Sequence, residues 1–269
     1  MSQTYQTTGI VLKQKPFAEN DLLVTILSPD YGLINAVAPG AKKYKSSLRG
    51  RIQPLVVNDF LIVHGTNLDR IIQADTKQSY PQLSQSLAKL TTSQYLSEIA
   101  INLAFSEQPQ GDLYSTLNNH LFILENLPKN TYLYPYLCRS LWDILIIIGI
   151  ELEVNYCTQT EVKIIPNLNL IHWSIYISFI HGGLVKDQDF LAQNHNLGMR
   201  VGALELLILQ SLFSDNIINQ SLENLTKKSN DQINIAWEKI AILLNKYLEF
   251  YLGKSLKSAE MLSMSLTIS

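Results

Sequence analysis

Cysteine is nearly absent from this 269-residue chain, with Cys138 and Cys157 its only two. Two thiols cannot build a disulfide framework, and their separation has no zinc-pair spacing. Long apolar runs are lacking as well. Ile144–Ile150 is the longest worth weighing, and Asp143 and Glu151 bracket it after about 10 Å of helix, far short of a membrane span. The first eight residues are polar, so no secretory leader is expected. Charge of one sign is missing too. Twenty-one Lys and Arg face 23 Asp and Glu, which excludes a uniformly basic coat and any general attraction to anionic membranes. No G-x-S-x-G, H-E-x-x-H, glycine-rich phosphate loop or dinucleotide fingerprint occurs, so no enzyme is expected. Glu151 and Glu153 sit two residues apart and do not share a helix face. A cytoplasmic protein is the expectation, with a core large enough to need no metal or disulfide.

What is present divides the chain in two. Residues 1–80 hold nine Lys and Arg against six acids, whereas the remainder holds twelve against seventeen. The front reads as five short strands: the Tyr5–Leu12 region, Leu22–Leu27, Leu33–Ala38, Leu55–His64 and Leu68–Ala74. Ser28-Pro29-Asp30-Tyr31-Gly32 and Pro39-Gly40 are the turn signals. Five strands in 80 residues suit a small barrel. The back reads as helices. Trp237, Ile240, Leu244, Tyr247 and Tyr251 fall on one face, with a cap at Asn230 or Asp231 and a stop at Gly253. Tyr132–Leu152 and Met199–Phe213 are further helix candidates, and 162–185 reads as a hairpin excursion. The junction falls near Tyr80-Pro81.

No acid occurs between Asp30 and Asp59, yet Lys42, Lys43, Lys45, Arg49 and Arg51 cluster there among glycines and hydroxyls. Clustered cations suit phosphates, and Tyr44 or Tyr31 would offer a stacking face to an unpaired base. The same cluster also fits a merely solvated surface. Arg70 and Lys77 are weaker additions.

Thr8-Gly9-Ile10-Val11-Leu12-Lys13, Pro16-Phe17-Ala18-Glu19-Asn20-Asp21, Val37-Ala38-Pro39-Gly40-Ala41-Lys42-Lys43 and the ending Tyr251-Leu252-Gly253-Lys254-Ser255-Leu256-Lys257-Ser258 resemble the bacterial RecO family in order and separation. The resemblance implies an α+β multidomain chain. Residues 1–80 would be an OB-fold β-barrel that binds nucleic acid, and residues 81–269 a mainly α-helical C-terminal domain with a small β excursion. It further implies a non-catalytic mediator of DNA repair and recombination in the RecF pathway, associated with the nucleoid. Such a protein binds single- and double-stranded DNA and anneals strands. It acts with RecR, recognises the acidic C-terminal tail of single-strand binding protein, and helps load RecA. The family's basic loop lands on the same five cations.

Many relatives carry a four-cysteine zinc module. Its positions fall here on Cys157, Thr160, Lys186 and Asp189, within 157–190, so no zinc and no cofactor are expected and packing alone should hold the excursion. His172 and His181 lack ligand spacing. For an acidic protein tail, the candidate cations are Arg139, Arg200 (at the start of a helix), Lys227 and Lys228. The alternative reading is a protein-interaction adaptor whose barrel is structural and whose partners contact the DNA.

Overall fold

In the computed structural model, residues 3–186, 197–213 and 228–267 are described. They form two compact units, 1–131 with 256–269, and 132–255.

The first unit begins with β1 (Thr4–Pro16), β2 (Leu22–Ser28), β3 (Gly32–Ala38), β4 (Val57–Val63) and β5 (Asp69–Gln78). Strand β1 is long enough to serve two neighbours. Its first half pairs with β4 and its second half with β2, and a bulge between Val11 and Lys13 bends it between them. The order is β1-β2-β3-β5-β4, and β4 returns to β1, so the pairings form a ring. Four sides of the ring are antiparallel ladders. The β3–β5 side is parallel and consists only of Ala36↔Asp69 and Val37↔Arg70. Alternate residues point inward, so Val24 and Ile26, Ile34 and Ala36, and Phe60 and Ile62 share one core with Val11, Ile71 and Ala74.

Helix α1 (Leu48–Arg51) lies between β3 and β4. A 3₁₀ turn (Pro81–Gln85) then leads to α2 (Leu87–Leu103) and α3 (Gly111–Asn126). The last helix, α7 (Lys257–Thr267), packs on α2. Glu98 on α2 accepts the backbone N–H groups of Lys257 (3.0 Å) and Ser258 (2.8 Å) and the Ser258 hydroxyl. Burial opposes the Glu98 charge, but these donors outweigh it and hold the carboxyl below its usual range. A buried Thr91–Ser265 hydroxyl pair, 2.5 Å apart, fixes the other end of α7.

The second unit packs α4 (Tyr134–Ile147) and α5 (Ala203–Phe213) on α6 (Asn230–Leu252). It also holds a four-stranded mixed sheet, in the order β6 (Glu153–Cys157), β8 (Gly183–Val185), β7 (Ser174–Ser178), β9 (Gly198–Gly202). Helix α6 starts at a capping box made by Ser229 and Gln232, and it stops at Gly253, whose φ of 65° suits the left-handed cap.

The expected architecture, an OB-fold barrel followed by a mainly helical domain, is corrected in two respects. The front strands form a mixed sheet whose two ends meet over two residue pairs only, not a fully laddered barrel. The chain is α+β throughout, because helices pack with the first sheet and the second unit carries a sheet of its own. Two local expectations also change. Met199–Gly202 is strand and not helix, so Arg200 lies on β9. Tyr251 is 53% exposed, while Trp237, Ile240, Leu244 and Tyr247 are core.

Candidate nucleic-acid interface

The segment from Pro39 to Val56 leaves β3 and closes over the end of the first sheet. Gly40 adopts φ +62°, and its N–H donates to the Asp21 carboxylate at 2.8 Å. Two tight turns follow, with Lys43 N–H on the Gly40 carbonyl (3.0 Å) and Ser46 N–H on the Lys43 carbonyl (3.1 Å). Lys42 ties the loop to the β1–β2 connection twice, through its backbone N–H to the Asn20 carbonyl (3.0 Å) and its ammonium to the Ala18 carbonyl (2.5 Å). Ala41, Leu48 and Ile52 turn inward and plug the sheet's core. At the far end, Leu55 N–H donates to the Val11 carbonyl at 2.7 Å, and the Asn58 amide holds the Arg51 carbonyl at 2.8 Å. A basic segment without strand or long helix is thus held rigidly by an apolar plug and backbone hydrogen bonds.

The five cations do not share one role. Lys43, Lys45 and Arg49 are exposed, and the ring of Tyr44 is 88% exposed with the Arg49 guanidinium 5.9 Å above it. Lys42 and Arg51 are half-buried. Arg51 donates to the Ala74 carbonyl at 2.6 Å and lies 3.3 Å from the Asp75 carboxylate, which pins α1 to β5. Arg70 is exposed on β5 beside Val37, at the parallel seam and off the loop. Lys77 is 2.9 Å from Asp59. The Thr8 hydroxyl, and then Lys77, hold that carboxyl below its usual range. Tyr31 is not a free stacking face, since it packs against Tyr5 with ring centres 4.6 Å apart.

Sequence reasoning missed the group that Tyr31 joins. Tyr5 stacks on His64 at 4.4 Å and donates its hydroxyl to Asp69 at 2.5 Å, and Asp69 also lies 3.3 Å from the His64 ring nitrogen. Burial, reinforced by Asp69, pushes the Tyr5 phenol well above its usual value. Each of the three groups is spent on the others, so the network reads as a polar brace between β1 and β5.

In the second unit, Arg200 and Lys228 line one groove of about 780 Å³, together with Lys239, Leu170, Ile171 and Trp173. Glu205 takes Lys239 at 3.1 Å. A neighbouring cavity of about 460 Å³ shares Trp173 and Arg200 and adds Lys163 and Lys186. Ile165 and Ile171 are 73% and 93% exposed. Arg139 does not join this set, being held by Asp143 at 2.8 Å. Lys227 lies outside the described residues.

Burial opposes a charge on Cys157, but the Thr160 hydroxyl and the N–H groups of Gln159, Thr160 and Lys186 favour it, so the thiol titrates below its usual value. Cys138 is fully buried, which drives its thiol up. Among the described residues no three His, Cys, Asp or Glu converge to hold a metal, and Asp189 lies outside them. His181 pairs with Ser178 in the turn before β8, and His172 is exposed. The excursion is not held by packing alone. The Gln210 amide donates to the carbonyls of Val154 (2.8 Å) and Ile164 (3.1 Å) and so ties it to α5.

Residues 1–80 match the family model described as Recombination protein O N terminal. Over nearly the whole chain, the sequence is 41% identical to the DNA repair protein RecO of Gloeothece citriformis, with 96% of each chain covered. It is 39% identical to that of Synechocystis, with 97% of each covered. The RecO of Trichodesmium erythraeum is 37% identical, over 97% of this chain and 94% of the relative. No described helix is long and apolar enough to cross a membrane.

Proposed function

The chain belongs to the RecO family of DNA repair proteins, and we propose that it works in repair and recombination by holding DNA phosphates on the 42–51 loop while partner proteins dock on the second unit. It does so without catalysis, since annealing strands requires only charge screening and release. The observation that carries this reading is the division of labour in the loop. Lys42 and Arg51 anchor it, and Lys43, Lys45 and Arg49 stand free around an exposed Tyr44. Arg70, exposed on β5 at the parallel seam, would be a further cation of the same unit for the strand to meet. Both single and double strands offer the phosphates this loop needs.

Removing three phosphate contacts in a Lys43→Ala/Lys45→Ala/Arg49→Ala variant should lower the slope of log affinity against log salt by about two to three. Titration of a labelled oligonucleotide at several salt concentrations measures it, and an unchanged slope would reject the loop.

For partners, the groove around Trp173 offers Arg200 and Lys228 beside exposed Leu170 and Ile171. That combination suits an acidic peptide ending in apolar residues, as in the tail of single-strand binding protein. RecR would join the same assembly, and RecA would be its beneficiary on the coated strand. The groove also favours a second reading, in which the chain is chiefly an adaptor and partners contact the DNA. Protein that captures such a peptide but leaves oligonucleotides unbound would establish the adaptor.

A further inference from the structure

The geometry points to Tyr44 as the residue that makes the loop prefer an unpaired strand to a duplex, by stacking a base on the ring face opposite Arg49. The inference rests on the loop's being the DNA contact, as proposed above.

Tyr44 and Lys45 are the two central residues of the turn closed by Ser46 N–H on the Lys43 carbonyl. A turn's corner residues point away from the chain that flanks them, which accounts for the 88% exposure of so large a side chain. An aromatic ring left that open costs solubility and gains nothing from packing. One face of the ring nevertheless has a neighbour. Arg49 sits one turn later, and its guanidinium lies over one face of the ring at 5.9 Å. Arg49 is itself placed by α1, which Ile52 and Leu48 bolt into the core and Arg51 ties to Asp75. The ring is therefore backed by a cation on one side and open on the other, with Lys43 and Lys45 exposed as its chain neighbours.

The chemistry of the two DNA forms then separates the roles. A duplex keeps its base faces stacked inside and presents phosphates, which the lysines and Arg49 can meet. An unpaired strand presents phosphates and free base faces together. Every base has a π-face, so stacking on Tyr44 would be indifferent to sequence but sensitive to whether the strand is paired. The cation behind the ring adds to the attraction for the strand.

The test uses the full chain as wild type, Tyr44→Ala, Tyr44→Phe and Lys43→Ala/Lys45→Ala. Each is titrated at one fixed salt concentration against a labelled single strand and against the same strand annealed to its complement. Tyr44→Ala should weaken single-strand binding on the order of tenfold and duplex binding by less than about twofold. Tyr44→Phe, which keeps the ring and loses the hydroxyl, should retain the wild-type preference. Equal losses on both forms, or no loss on the single strand, would overturn the role of Tyr44 provided the double lysine variant weakens both. If the double lysine variant changes neither, it is the loop's contact with DNA that fails. Circular dichroism and thermal unfolding of Tyr44→Ala, expected to match wild type for so exposed a side chain, separate lost recognition from lost folding.

Discussion

Two irregular segments among the described residues, the basic loop at 39–56 and the stretch at 158–173 that leads into β7, are held in opposite ways. The first is fixed from beneath by an apolar plug of Ala41, Leu48 and Ile52, and from its flanks by two of its own cations. What remains on its outer side is charge and one ring. The second is fixed by neutral groups, the Gln210 amide and the N–H donors gathered around Cys157. It leaves aliphatic side chains outside, and its cations come mainly from neighbouring elements, as Arg200, Lys228 and Lys239. A segment whose apolar residues face inward leaves its cations outside, as the proposed phosphate contact requires. A segment whose apolar residues face outward leaves aliphatic surface exposed, as the proposed peptide contact requires.

Four substitutions would sharpen or break this contrast. The largest effect is expected at the plug. Ile52→Ala should cost about 2–5 kcal/mol in urea unfolding, because a fully buried side chain leaves a cavity. Ile171→Ala, at 93% exposure, should stay within about 0.5 kcal/mol. Similar losses at both sites would erase the difference between the segments. Next comes Gln210→Ala, which leaves the carbonyls of Val154 and Ile164 without this donor and should cost about 1–3 kcal/mol. Amide exchange at Ile164 and Cys157 should rise with it, and unchanged exchange would return the excursion to packing alone. The smallest effect is expected from Arg51→Ala. Its ion pair is half-exposed, so stability should fall by about 1 kcal/mol or less. Its salt slope for DNA should change by less than about one, against two to three for the free cations. A full unit's loss at Arg51 would make it a phosphate contact and not an anchor.

The first five strands were legible because β-branched runs alternate between turn signals, and observed bounds differ from the expected ones by a few residues. Helix α6 was legible from the spacing of Trp237, Ile240, Leu244 and Tyr247, but its cap is Ser229, whose partner Gln232 marks the box three residues on. The error at Met199–Gly202 has a readable cause. No polar turn separates the strand from α5, since Val201-Gly202-Ala203-Leu204 runs across the boundary, and only the glycines at 198 and 202 mark off the five-residue strand. The candidate site was legible as a cluster but not as roles. Arg49 and Arg51 look equivalent in a sequence, yet they project from different sides of one helical turn, and the partner that fixes Arg51 lies on β5. The groove was legible only in fragments, since Trp173, Arg200, Lys228 and Lys239 come from four separate stretches of chain. The pairing of α7 with α2 left no local trace, because Glu98 and Ser258 are 160 residues apart.

That last contact bears on how the protein comes into being. A ribosome completes the five strands and the helix that carries Glu98 long before it supplies the segment that caps this carboxylate. In the interval the first unit lacks the partner of that helix flank, while the chain from Tyr132 to Ser255 is made. The amino-terminal unit is therefore completed by residues that follow it by more than a hundred positions. A premature stop just after Ser255 would damage the end of the protein farthest from it in sequence.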